Sequence, residues 1–171
     1  MVRSVKNAFT PISRIPQGIL SLIPGHCDTD KEFITATHVC RGWREQFTSR
    51  SSLWTPPDCT NLDRTRVYPE RSKTSLLEIC LGEEEHRPFL NDTFLLTIPH
   101  LGRFNNLTIT GSSNDLVGLT NPFLHRRAPL LQKLKIHSTS DDSLTIPAAI
   151  FNGILPSLHR LSLSGILTNL P

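Results

Sequence analysis

Apolar positions along the chain fall into two regimes, one at helical spacing over residues 12–56 and one alternating as strands do beyond residue 74. In the first, Ile15-Pro16 opens a short helical pattern. Ile19, Leu20 and Ile23 share one face and Pro24-Gly25 ends it. Proline suits the first helical position, because the N–H it lacks would have no intrahelical partner there. Thr29 with Glu32 three residues on has the form of a capping box. Phe33, Ala36, Cys40, Trp43 and Phe47 then follow in steps of 3, 4, 3 and 4, widened by Ile34 and Val39. Lys31, Thr35, His38, Arg41 and Glu45 occupy the opposite face, so the segment predicts an amphipathic helix. Ser51-Ser52-Leu53-Trp54 is a third short apolar element, closed by Pro56-Pro57. Three short helices of this size make a bundle that is marginal alone and gains stability by docking on a partner.

The second regime repeats. Phe104-x-x-Leu107-x-Ile109 returns as Leu131-x-x-Leu134-x-Ile136 and as Leu158-x-x-Leu161-x-Leu163, two successive steps of 27 residues. Pro129 and Pro156 stand in the same phase, and Leu77-x-Ile79-x-Leu81 is a looser copy aligned with Leu107 at a step of 30. A period of roughly 20–29 residues with Leu-x-x-Leu-x-Leu is the signature of leucine-rich repeats, so the region is leucine-rich-repeat-like. Thr108, Lys135 and Ser162 lie between the apolar pairs, giving strands with one face inward and one outward. Helical segments are expected from Asn91 to Ile98, Asn114 to His125 and Pro147 to Leu155, backing the strands in a right-handed βα array. Residues 57–73 read as a linker with a short helix broken at Pro69.

Composition narrows the function classes. The 171 residues carry a net charge of +3, with acidic and basic residues interleaved. Arg64-Thr-Arg66 and Arg126-Arg127 are too short for the basic stripe of a nucleic-acid binder. No run of eighteen apolar residues occurs, and no apolar stretch follows the basic start, so neither a membrane span nor a secretory signal is expected. Cys27, Cys40, Cys59 and Cys80 match no common zinc spacing and no disulfide scaffold, which fits an intracellular setting, cytoplasm or nucleus. Without export, the glycosylation sequons at Asn91 and Asn106 carry no weight. Gly111-Ser112-Ser113 is a turn signal, not a phosphate loop, Asp141-Asp142 stands isolated, and Glu83-Glu84-Glu85-His86-Arg87 reads as a solvated loop. With no nucleophile, base or ligand constellation, no catalysis, cofactor or metal is expected.

Ile15-Pro16-x-x-Ile19-Leu20-x-x-Ile23, Ala36-x-x-Val39-Cys40-Arg41-x-Trp43 and Leu53-Trp54, in that order, resemble an F-box. Gln17-Gly18 stands where that family carries an acidic residue, and Pro24 where its first helix continues. The resemblance implies a three-helix motif that binds the Skp adaptor, and through it a cullin, in a ubiquitin ligase. It further implies that Ile15, Pro16, Ile19, Leu20 and Ile23 meet the adaptor, while Val39, Cys40, Trp43, Leu53 and Trp54 share packing and contact.

The expected architecture is therefore α+β. Residues 1–11 are a disordered start, 12–56 an F-box bundle, 57–73 a linker, and 74–171 a leucine-rich-repeat-like solenoid that ends without a capping unit, as in a truncated form. Outward strand positions Thr108, Thr110, Lys135, His137, Ser162 and Ser164 are the candidate surface for an unknown client protein. The competing expectation is a protein-interaction scaffold outside ubiquitination, its helical bundle capping the array.

Overall fold

The computed structural model describes residues 11–27, 30–57, 59, 61–82, 90–123, 125–140, 144–146 and 150–168. Residues 1–10, Thr29, the 83–87 run, Asp141-Asp142 and the chain beyond Thr168 lie outside the described residues, with the expectations placed on them. Two compact units divide at Leu53/Trp54.

In the first unit Pro16 sits at the N-cap, one position before the expected one, with φ −58° and ψ 144°. Its carbonyl accepts from Ile19 N at 2.9 Å and Leu20 N at 3.1 Å. Helix α1, Gln17–Leu20, is one turn long. It has no acidic residue in that turn and no side-chain cap. Gly18 lies inside it, and Pro24 belongs to the following 3-10 turn, Ile23–His26. Each feature shortens a helix.

The expected single amphipathic helix is two. Helix α2 covers Asp30–Thr37 and α3 covers Arg41–Ser49, with Cys40 extended between them at φ −156°. The Thr35 hydroxyl donates to the Lys31 carbonyl and the Thr37 hydroxyl to that of Ile34, each at 2.7 Å. These threonines take up carbonyls near the end of α2, where β-branched residues already disfavour helix. Across the break Phe33, Trp43 and Phe47 are buried together. Phe33 and Phe47 ring centroids stand 6.1 Å apart, and Trp43 meets Phe47 edge-on at 5.7 Å. Such aromatic pairs contribute about 0.5–1.5 kcal/mol each beyond burial.

The second unit is a mixed helical and strand structure built on a parallel sheet. Asn61 caps α4, Leu62–Arg71, its side-chain oxygen accepting from Arg64 N at 3.1 Å. This helix runs through Pro69, where the sequence predicts a break. Arg103 supports the region: Nε donates to Ser75 O at 3.0 Å, Nη1 to Pro69 O at 3.2 Å, and Nη2 to Ser75 O at 2.8 Å and to the Ser72 hydroxyl. One guanidinium thereby satisfies carbonyls that the helix end leaves over.

Four strands, β1 (Leu77–Leu81), β2 (Phe104–Gly111), β3 (Lys133–Ser138) and β5 (Arg160–Ser164), form the sheet in the order β1-β2-β3-β5. All pairs are parallel. Leu107, Leu134 and Leu161 stand in one row and Ile109, Ile136 and Leu163 in the next, so the 27-residue step is the strand-to-strand step. The looser copy is two residues out: Ile79, not Leu77, pairs with Leu107. An irregularity between Leu77 and Glu78 places Asn105 as an extra residue on β2. A two-residue shift keeps the same side chains inward.

Helix α5 (Leu90–Thr97) with the 3-10 turn Ile98–Arg103 connects β1 to β2. Helix α6 (Ser113–Thr120) with the turn Asn121–Phe123 connects β2 to β3. Ser112 and Asp115 close α6 with a capping box. The third connector contains a 3-10 turn, Ile150–Gly153, and no α-helix among its described residues. Phe151 and Asn152 there have φ of 56° and 59°. A left-handed Phe costs about 1–2 kcal/mol, and its complete burial holds it in place. Phe94, Phe123 and Phe151, one from each connector, pack in the same apolar cluster as the strands, Phe94 meeting Phe123 edge-on at 5.1 Å and Phe123 tilted against Phe151 at 5.0 Å. Gly82, with φ +88°, ends β1 where a Cβ would overlap the Thr110 carbonyl, so no side chain fits. A second, two-stranded parallel sheet pairs β4 (Leu144–Ile146) with β6 (Ile166–Thr168), which the hydrophobic pattern does not foresee.

Candidate interaction surfaces

The expected adaptor residues divide by exposure. Pro16 is exposed, Ile19 is 54% exposed and Val39 43%, whereas Leu20 and Trp43 are each only 8% exposed. Ile15, Ile23, Cys40 and Leu53 are half-buried. Trp54 belongs to the second unit and is fully buried. Tyr68 meets its ring edge-on at 5.0 Å and the Arg71 guanidinium lies 4.3 Å from it. That arrangement makes Trp54 a packing residue with no surface to offer.

Leu22, 60% exposed, is absent from the sequence expectation. Ile19 N donates to Pro16 O at 2.9 Å and Leu22 N to Ile19 O at 3.0 Å, so Pro16, Ile19 and Leu22 rise one above another at steps of three. These three residues form a short apolar row that faces water. The signal in the sequence was the phase of Leu22. It lies off the face shared by Leu20 and Ile23, and the expectation treated that face as the outward one.

The six candidate client-facing residues lie on one face of the sheet in two adjacent rows. Thr108, Lys135 and Ser162 make one, and Thr110, His137 and Ser164 the other. A third row continues the same face: Glu78, Asn106, Lys133 and Arg160. Asn106, Lys133 and Arg160 were equally legible in the 27-residue step, each being the x before the second apolar residue of Leu-x-x-Leu-x-Leu, but the expectation took only the x after that residue and the position beyond the motif. Between the first and third rows lies a depression of about 320 Å³, lined by Asn106, Thr108, Lys133, Lys135, Arg160 and Ser162.

This patch is cationic. Lys133, Lys135 and Arg160 are exposed, and among the described residues none of them has an ion-pair partner. Lys133 and Arg160 stand directly across from each other in the ladder. Like charges so placed repel and cost the sheet stability. Beside them Asn106 Oδ1 is buried without a hydrogen-bond partner among the described residues, a condition that costs about 1–3 kcal/mol when nothing answers it.

Among the described residues no group of three or more His, Cys, Asp or Glu side chains could hold a metal ion. Within the same residues no helix is long and apolar enough to cross a membrane. No family model, curated protein or solved structure matches the chain.

Proposed function

We propose that the chain is the client-binding subunit of a Skp–cullin–F-box ubiquitin ligase, joining the Skp adaptor through residues 12–56 and a client through a leucine-rich-repeat-like solenoid. The observation that carries this reading is the exposed row Pro16, Ile19 and Leu22, with Val39 exposed on the same small unit. These lie within the segment whose Ile-Pro start, Val-Cys-Arg-x-Trp centre and Leu-Trp end resemble an F-box. The client half is supported by a sheet of four parallel strands, three of them stepping 27 residues at a time, with its polar face left open. In this reading the chain performs no chemistry itself. It raises the local concentration of a client near the transfer enzyme, in an intracellular setting.

The test is capture of purified Skp adaptor by the intact chain. Leu20→Asp is a poor probe, because Leu20 is buried and a charge there disrupts packing. Ile19→Asp with Val39→Asp changes two exposed positions. Wild type should retain the adaptor, and the double variant should lose at least about tenfold in affinity with an unchanged circular dichroism spectrum. A folded wild-type chain that captures no adaptor overturns the proposal, and client capture without adaptor favours the scaffold.

A further inference from the structure

We propose that the open sheet face is a docking site for an extended acidic segment of a partner polypeptide, with Lys133, Lys135 and Arg160 receiving its carboxylates. The inference deepens the client half of the function proposed above and rests on it. It needs nothing from the adaptor contact.

Three observations converge. First, the patch keeps three exposed cations together, none of them in an ion pair among the described residues, with Glu78 two ladder positions from Lys133 at the far end of one row. Adjacent strands are about 4.8 Å apart and alternate residues of one strand about 6.6 Å apart. Lys133 and Arg160 can therefore share one carboxylate, while Lys135, two residues along β3, meets the next. Side chains at i and i+2 of an extended peptide have that same spacing, so a segment running along β3 presents its acidic groups in register. Second, Asn106, which lines the depression, keeps its Oδ1 buried without a hydrogen-bond partner among the described residues, so an occupant that reaches it on a side-chain shift must bring a donor. A free carboxylate or phosphate supplies no donor, whereas a peptide backbone supplies N–H groups alongside its carboxylates. Third, the depression of about 320 Å³ lies at the small end of the roughly 300–1,000 Å³ typical of ligand sites. It suits side chains inserted from above.

A nucleic acid fits the same patch less well. Single-stranded nucleic acids are held by stacking on flat side chains as well as charge, and the three rows contain no Phe, Tyr or Trp, only His137 and Arg160 at separate positions.

The experiment uses the full chain without adaptor and fluorescence anisotropy of a labelled peptide of about a dozen residues, with Asp at alternate positions. Its twin carries Asn in place of Asp, and a single-stranded oligoribonucleotide of equal charge is the third probe. The acidic peptide should bind with a dissociation constant on the order of 10–100 µM, at least about tenfold tighter than either other probe. Lys133→Gln with Lys135→Gln should lower that affinity at least about tenfold while leaving the thermal midpoint unchanged or raised, because it relieves repulsion. A residue kept for folding would lower the midpoint. Arg127→Glu, an exposed charge elsewhere on the unit, should leave binding unchanged. Equal binding of the acidic and Asn peptides, full binding by the Lys133→Gln/Lys135→Gln variant, or preference for the oligoribonucleotide overturns the proposal. None of these variants touches a proposed adaptor residue, so adaptor capture by the same proteins shows whether the two proposals fail separately.

Discussion

At the scale of single residues, the second unit depends on a few polar groups whose partners are fixed. Arg103 is half-buried and donates four hydrogen bonds to the end of α4 and the chain after it. His100, three residues earlier in the same 3-10 turn, is held below its ordinary pKa of 6.5, first by burial and second by the Arg103 charge. The folded protein therefore resists protonating His100, while the unfolded chain takes up that proton near pH 6.5. Stability from this group is complete above about pH 6.5 and falls as the pH drops below it, until the lowered folded-state value is reached. Urea denaturation of wild type and His100→Gln between neutral pH and pH 5 should show a difference that shrinks or reverses with acid. Parallel profiles would remove His100 as the cause. Nothing in the hydrophobic pattern singled out Arg103, whose partners lie about thirty positions away, or His100, whose shift comes from tertiary burial and from Arg103.

At the scale of elements, the sequence was legible wherever one pattern decided the outcome. The inward rows of β2, β3 and β5 follow directly from alternation plus the 27-residue step. The pattern fell short where local chemistry competes with it. The stripe from Phe33 to Phe47 survives intact across a helix break, because periodicity reports which side chains face inward and not whether the backbone between them is helical. The third connector failed as a helix for a similar reason: Ile150, Phe151 and Ile154 have helical spacing, but the chain turns left-handed at Phe151-Asn152. Helix α1, one turn long and without a side-chain cap, offers a direct test. A Cβ on Gly18 meets nothing within 4 Å, and its φ is not in the left-handed region. Gly18→Ala should therefore stabilise the first unit by about 0.5–1 kcal/mol, measured as a shift in the denaturation midpoint at constant slope. A loss of stability would mean that the turn needs glycine for a reason other than helix propensity.

At the scale of the whole molecule, burial of the apolar face is lost at the last strand of the parallel sheet. In one ladder row Leu107 is 1% exposed and Leu134 2%, but Leu161 is 52%. The repeat makes these three leucines look equivalent, and the sequence alone gives no reason to rank them. The difference is in what covers each strand. Ile79, in the same row on the other edge strand, is only 2% exposed and lies with Leu107 and Leu134 in the apolar cluster, whereas Leu161 on the β5 edge lies outside it. Apolar side chains stabilise only in proportion to the surface they remove from water. Leu134→Ala should thus cost about 2–5 kcal/mol, the range for a leucine deleted from a packed core, while Leu161→Ala should stay within about 0.5 kcal/mol. Chemical denaturation of the two variants decides it. Equal losses would mean that Leu161 is covered in solution by structure beyond the described residues or by a second copy docking along the β5 edge. Sedimentation velocity separates those two, because only docking makes the Leu161 cost depend on protein concentration.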